Sequence, residues 1–289
     1  MKKLKIGLAL GGGGARGFAH LGAIKCFEEN GIKFDYISGT SVGSLVGALY
    51  ASGLNYQELY NIASKLTIKD IKKNKIFFMP DDTDGIEAII EKNCPVQRVE
   101  ELQTPTSIVA VDLISGNEVD ITSGNLAKAV AGSCCVPSVF NPVIFEDMHL
   151  ADGGLSNNIP SDICKKHNCD IVIAIDVNPT RGQGTESLKL FDVLAASLRI
   201  MMKSNSVKGE MYADCFIAPN LKKFSSMSNE GFEEMIQIGY NTTKEKIDEI
   251  KALINPYQPK LLDKVKNIFG KKSKKEINRE KYEKNHQRN

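Results

Sequence analysis

Residues 6–22 read IGLALGGGGARGFAHLG. A five-residue apolar run enters four consecutive glycines and then a segment with helical character. The run is too short for a surface helix and lacks polar alternation, so it reads as a strand buried on both faces. Glycine carries an entropic cost on folding, so four in a row at such a junction serve a tight turn or a close backbone approach. Two chemistries use that arrangement. One is a phosphate cradle, and the other is a set of N–H donors aimed at an oxyanion.

The pattern repeats downstream. Residues 15–30 read as a helix ending at Asn30-Gly31, FDYISG (34–39) as a second strand, and Val42, Leu45, Val46 and Leu49 as one helical face closing near Gly53. Alternation of this kind predicts an α/β fold, a mainly parallel central sheet with helices on both faces. Later strands are expected at 106–113, 117–122 and 214–220, with one or two across 143–154. An apolar, central strand is expected at 169–177. Helices are expected at 125–135, 186–206 and 228–254. Residues 54–104 are lysine-rich and mostly helical in pattern, and read as a cap or insertion.

The chain has 289 residues, 42% hydrophobic and 25% charged, which suits one large soluble domain. The expected domain spans 1–258. Residues 260–289 carry eleven basic and four acidic side chains, a net +7 against −5 for the remainder. The segment 259–289 is therefore expected to be a basic, disordered tail. The apolar part of MKKLKIGLAL stops at Leu10, too short for a signal peptide. Seven cysteines show no C-x-x-C and no metal-type pairing. Both features favour a cytoplasmic protein with free thiols and no metal.

Gly39-Thr40-Ser41-Val42-Gly43 is a G-x-S-x-G between a strand and a helix, the setting of a sharp turn that exposes a serine Oγ. A nucleophilic serine needs a base. None of His20, His149, His167 and His286 stands at a strand end after a candidate acid. A carboxylate serves instead if desolvation raises its basicity, and Asp152-Gly153-Gly154 follows a strand-like segment. On its own that tripeptide also reads as a hairpin turn. The glycines of residues 11–14 then supply N–H donors for the tetrahedral oxyanion, each worth roughly 3 kcal/mol. Arg16 adds a positive charge, either near that oxygen or orienting the loop.

Three ordered blocks, Gly12-Gly13-Gly14-Ala15-Arg16-Gly17, Gly39-Thr40-Ser41-Val42-Gly43 and Asp152-Gly153-Gly154, resemble those of the patatin-like phospholipases. AGSCCVPSVFNPV (131–143) and NNIP (157–160) add to the resemblance, which covers about residues 4–220. It implies a Ser41–Asp152 dyad, an oxyanion hole at Gly12, Gly13 and Gly14 with Arg16, and hydrolysis of lipid esters without a cofactor. Gly17, Gly39, Gly43, Gly153 and Gly154 support these blocks.

Three alternatives stay open. Acyl transfer to an alcohol would use the same acyl-enzyme. An inactive lipid-binding scaffold would keep only the fold. Gly12, Gly14 and Gly17 also fit the dinucleotide fingerprint G-x-G-x-x-G, although the acid it needs at the end of the second strand is replaced by SGTS, with Asp35 at the start instead. The expected partner is a lipid or phospholipid, not nucleic acid. Lys69, Lys72, Lys73 and Lys75 beside Phe77 and Phe78 suggest peripheral membrane contact, as does the tail, with a solvated lysine face beside core aromatics as the competing reading. Residues 188–202 read as plain core or as an acyl-pocket lining.

Overall fold

The computed structural model describes residues 4–66, 81–137, 139–178 and 189–255. The lysine-rich stretch 69–79 and the tail lie outside them. Among the described residues, eight strands form one sheet: β1 (Ile6–Leu10), β2 (Tyr36–Thr40), β3 (Thr106–Asp112), β4 (Glu118–Ile121), β5 (Val143–Phe145), β6 (Met148–Asp152), β7 (Ile171–Ile175) and β8 (Cys215–Ile217). The hydrogen-bonded path is β5-β6-β3-β2-β1-β7-β8, with β4 on β3. Strands β3, β2, β1, β7 and β8 run parallel, and β4, β5 and β6 add antiparallel pairings.

Helices α1 (Phe18–Glu29), α2 (Val42–Ala51), α3 (Tyr56–Ala63), α4 (Asp84–Asn93), α5 (Leu126–Ser133), α6 (Ser161–Lys166), α7 (Leu190–Tyr212), α8 (Phe232–Lys244) and α9 (Ile247–Ile254) fill the connections. Alternate residues of a strand point to opposite faces, and β1 shows what this does. Leu8 and Leu10 join the large core with Ile24, Phe27, Leu126 and Met235, while Ala9 joins a smaller one with Ile159, Cys164 and Ala213. The thin second face lets α6 press close: a Cβ on Gly7 would stand 2.9 Å from the Sγ atoms of Cys164 and Cys169.

Several boundaries differ from the sequence reading. The first helix opens with a 3-10 turn, Gly14–Gly17, because the Gly-rich segment is bent to reach the 221–226 loop. The segment 228–254 is two helices, broken at Glu245–Lys246. The strand 169–177 is interior, between β1 and β8, rather than at the centre of the sheet.

Register on β3 places the site. Strand β4 pairs with Ile108–Val111, overlapping both the stretch taken by β2 (Thr106–Val109) and that taken by β6 (Ala110–Asp112). A strand has two edges, so β2 and β6 share the edge opposite β4 and meet end to end. Thr40 pairs with Val109 and Asp152 with Ala110. The residues leaving these two strand ends therefore converge.

Candidate active site

Ser41 sits at the junction of β2 and α2 with φ 55° and ψ −131°, a backbone state a non-glycine residue rarely adopts. Sterics explain the flanking glycines. A Cβ on Gly43 would strike the Leu10 carbonyl, and one on Gly39 would strike the Gly43 carbonyl and Ser44 Cα. The Ser41 carbonyl is held by Ser44 N–H (2.8 Å) and the Ser44 hydroxyl (2.7 Å). Its N–H donates to Ser133 Oγ at 2.9 Å. Ser41 is buried, with 6% of its surface exposed.

Asp152 ends β6 and is fully buried. Its Oδ1 accepts the Gly154 N–H at 2.8 Å, and its own N–H donates to the Cys135 carbonyl at 2.9 Å. Burial pushes the carboxyl up to about 6, against the opposing pull of the Ser41 hydroxyl and the Gly154 amide. Oδ2 has no hydrogen-bond partner among the described residues. Cys134 lies beside both residues, its thiol raised chiefly by burial and then by Asp152.

The glycine segment reaches the same place. A Cβ on Gly12 would stand 3.1 Å from Ser41 Cβ. Gly11 N–H donates to Ile175 O and Gly12 N–H to Asn158 O, both at 3.0 Å. The Gly12 carbonyl accepts from Asn178 Nδ2 at 2.5 Å, and the Gly11 carbonyl meets His20 Nε2 at 2.8 Å. Among the described residues, the N–H groups of Gly13 and Gly14 have no acceptor. Gly14 has φ +59°, and a Cβ there would strike the Ser226 carbonyl. The amide of Gly12 is therefore spent on the fold, and those of Gly13 and Gly14 remain as donors.

Arg16 is buried and ties its own turn to a distant loop. Its Nε and Nη2 donate to the Phe224 carbonyl at 3.0 and 2.8 Å, which anchors the 3-10 turn to the 221–226 loop. Gly17 lets that turn pack on Val42, and Gly153 lets its backbone approach Val109 O. Asp35 accepts the Ile6 N–H at 3.0 Å, at the opposite end of the parallel strands from the glycine loop. A ribose-binding acid is thus missing from the place the dinucleotide fingerprint requires.

Among the described residues, no histidine is placed to serve Ser41. His20 is buried behind the glycine loop and lowered to about 4 by desolvation, so it is neutral. His167 bonds Asp120 at 2.9 Å, and His149 lies exposed on β6 opposite Ile144. No group of three His, Cys, Asp or Glu side chains among the described residues could hold a metal ion. No described helix is long and apolar enough to cross a membrane.

Sequence reading missed Ser133, Asn158, Asn178 and the anchoring role of His20. Asn158 lies in the quoted NNIP, but nothing in that tetrapeptide shows that its carbonyl would take a glycine amide.

Known proteins resemble this chain in family and in fold. The family model described as patatin-like phospholipase matches residues 8–165. An uncharacterized NTE family protein of Mycobacterium bovis is 31% identical over 210 residues, covering 70% of this chain and 57% of that protein. Lysophospholipase NTE1 of Kluyveromyces lactis is 27% identical over 271 residues, covering 81% of this chain and 18% of the relative. The chain thus spans little more than half of the first of these relatives and a small part of the second. The crystal structure of VipD from Legionella pneumophila shares the fold, with a TM-score of 0.59 at 16% identity over 86% of this chain and 67% of that one.

Proposed function

Because the chain belongs to the patatin-like phospholipase family, we propose that it is a serine acyl hydrolase of lipid esters, of phospholipase A or lysophospholipase type. Ser41 is the nucleophile, Asp152 the base, and the amides of Gly13 and Gly14 the oxyanion donors. The observation that carries this reading is the convergence of the Ser41 elbow, the buried Asp152 carboxyl and the glycine loop at the meeting point of β2 and β6. The lipid substrate class is supported by the family and by the name of the Kluyveromyces relative.

The chemistry follows from the groups present. The Ser41 hydroxyl attacks the ester carbonyl while its proton passes to the unpartnered Asp152 Oδ2. Negative charge develops on the former carbonyl oxygen, where the free N–H groups of Gly13 and Gly14 and the N-terminus of α2 favour it. Collapse breaks the bond to the leaving alkoxide, which takes the proton back from Asp152. Water then attacks the acyl-serine, again giving its proton to Asp152, and the second collapse releases fatty acid and restores Ser41. A carboxyl raised to about 6 is a stronger base than an ordinary aspartate and is still ionised at neutral pH. Comparing free fatty acid with transacylated product, on lysophospholipid and diacyl phospholipid, tests hydrolysis and ranks the substrates.

A membrane-peripheral setting is part of the proposal, since a lipid ester is met at an interface. The +7 tail and the lysines at 69–75 suit an anionic surface.

A further inference from the structure

One three-residue segment grips both residues of the proposed dyad by their backbone amides. Ser41 N–H donates to Ser133 Oγ at 2.9 Å, and Asp152 N–H donates to the Cys135 carbonyl at 2.9 Å. The Ser133 hydroxyl also donates to the Val109 carbonyl at 2.6 Å. A hydroxyl has one proton and two lone pairs, so giving the proton to Val109 O leaves a lone pair for the Ser41 amide. The same Val109 carbonyl is the atom that a Cβ on Gly153 would strike, so it also abuts the loop after Asp152.

From this arrangement we propose that Ser133 is a positioning residue for the acyl-transfer step. Through its hydroxyl it holds the Ser41 elbow at a fixed setting relative to the Asp152 loop. This rests on the reading of Ser41 as nucleophile.

Three features give the bond its leverage. Ser41 has φ 55°, so its backbone is held in a disfavoured state from outside rather than by its own preference. Ser133 is fully buried, so water cannot take its place as acceptor. It is also the last residue of α5, a helix whose start is capped by Asn125 accepting Lys128 N–H at 2.9 Å. The grip is therefore tied to a rigid element that packs on β3, β5 and β6. Because the Ser41 amide is spent on Ser133, it is not an oxyanion donor, and Ser133 touches neither substrate nor the transferred proton.

The test compares wild type, S133A, S133T and S41A on a soluble ester, with fluorophosphonate inactivation and hydrogen exchange at the Ser41 amide. S133A is expected to lower kcat about 10- to 100-fold with KM within about threefold, since misplacement of reacting groups by an ångström has effects of this size. Inactivation should slow in parallel, and the Ser41 amide should lose protection. S133T, which keeps the oxygen, is expected to recover most of the kcat. If S133A does not fold, S133C carries the same expectation, because a thiol of similar shape is a poor acceptor. A kcat within twofold of wild type in the folded Ala or Cys variant overturns the proposal. So does equal loss in S133T, or a loss carried by KM. S41A separates the two readings: if it is still labelled, the nucleophile assignment fails, whereas an unlabelled S41A beside a fully active S133A rejects only the positioning role.

Discussion

Asp152 pairs with Ala110 of β3, one residue beyond the Val109 that pairs with Thr40, so Ser41 and Asp152 emerge at adjacent points along one edge of β3 from strands running in opposite directions. Residues 111 apart in the chain are thereby brought together by register, and a one-residue slip of β6 would turn Asp152 to the other face.

Asp152→Asn removes the proposed base while keeping the shape. Proton transfer by a placed group contributes about 10²- to 10⁴-fold, so kcat should fall by at least ~100-fold. Steady-state kinetics on a soluble ester, with circular dichroism to verify the fold, checks this.

The same substitution should not destabilise the protein at neutral pH. The carboxyl is raised in the folded state from 3.8 to about 6 by burial. Its contribution is present below the unfolded value and is lost as pH rises through about 6, a cost on the order of 3 kcal/mol at pH 8. Thermal melts at pH 8 should therefore show Asp152→Asn with a Tm equal to or above wild type. The difference should shrink toward pH 4. Asp176, also raised to about 6 by burial, gives both proteins a further decline of the same sign.

Activity should show an acid limb at the same place. The proposed base works when ionised, so kcat/KM is expected to rise tenfold per pH unit below about 6 and to level off above it. The residual activity of Asp152→Asn should lack that limb. A limb unchanged in the variant would assign it to another group.

Gly14→Ala tests the proposed oxyanion role of the glycine loop. The residue has φ +59°, and an added Cβ would strike the Ser226 carbonyl, so the loop must shift. Loss of one oxyanion donor costs roughly 10²- to 10³-fold in kcat. A folded Gly14→Ala with a loss in that range, measured as kcat on a soluble ester, is the expected result.

The strand and helix alternation around residues 6–53 was readable from residue types, because buried strands and amphipathic helices have separate periodicities. The serine elbow was readable too, since Gly39 and Gly43 are imposed by local collisions. Less legible was how the loop is divided between structure and chemistry. Gly12 and Gly13 look alike in sequence, yet the Gly12 N–H is taken by the Asn158 carbonyl, 146 residues away. Arg16 looked as suited to an anion as to the loop, and its partner is the carbonyl of Phe224. Ser133 lies in the quoted stretch 131–143, but its contact with Ser41 depends on where β2 ends beside β3.

Ser41 as the reacting hydroxyl is best examined by fluorophosphonate labelling with peptide mapping, comparing wild type with folded Ser41→Ala and Asp152→Asn. Wild type should carry one stable phosphonyl adduct on Ser41, Ser41→Ala should carry none, and Asp152→Asn should label at least ~100-fold more slowly. An adduct on another residue, or wild-type ester turnover in folded Ser41→Ala, would contradict the proposed chemistry.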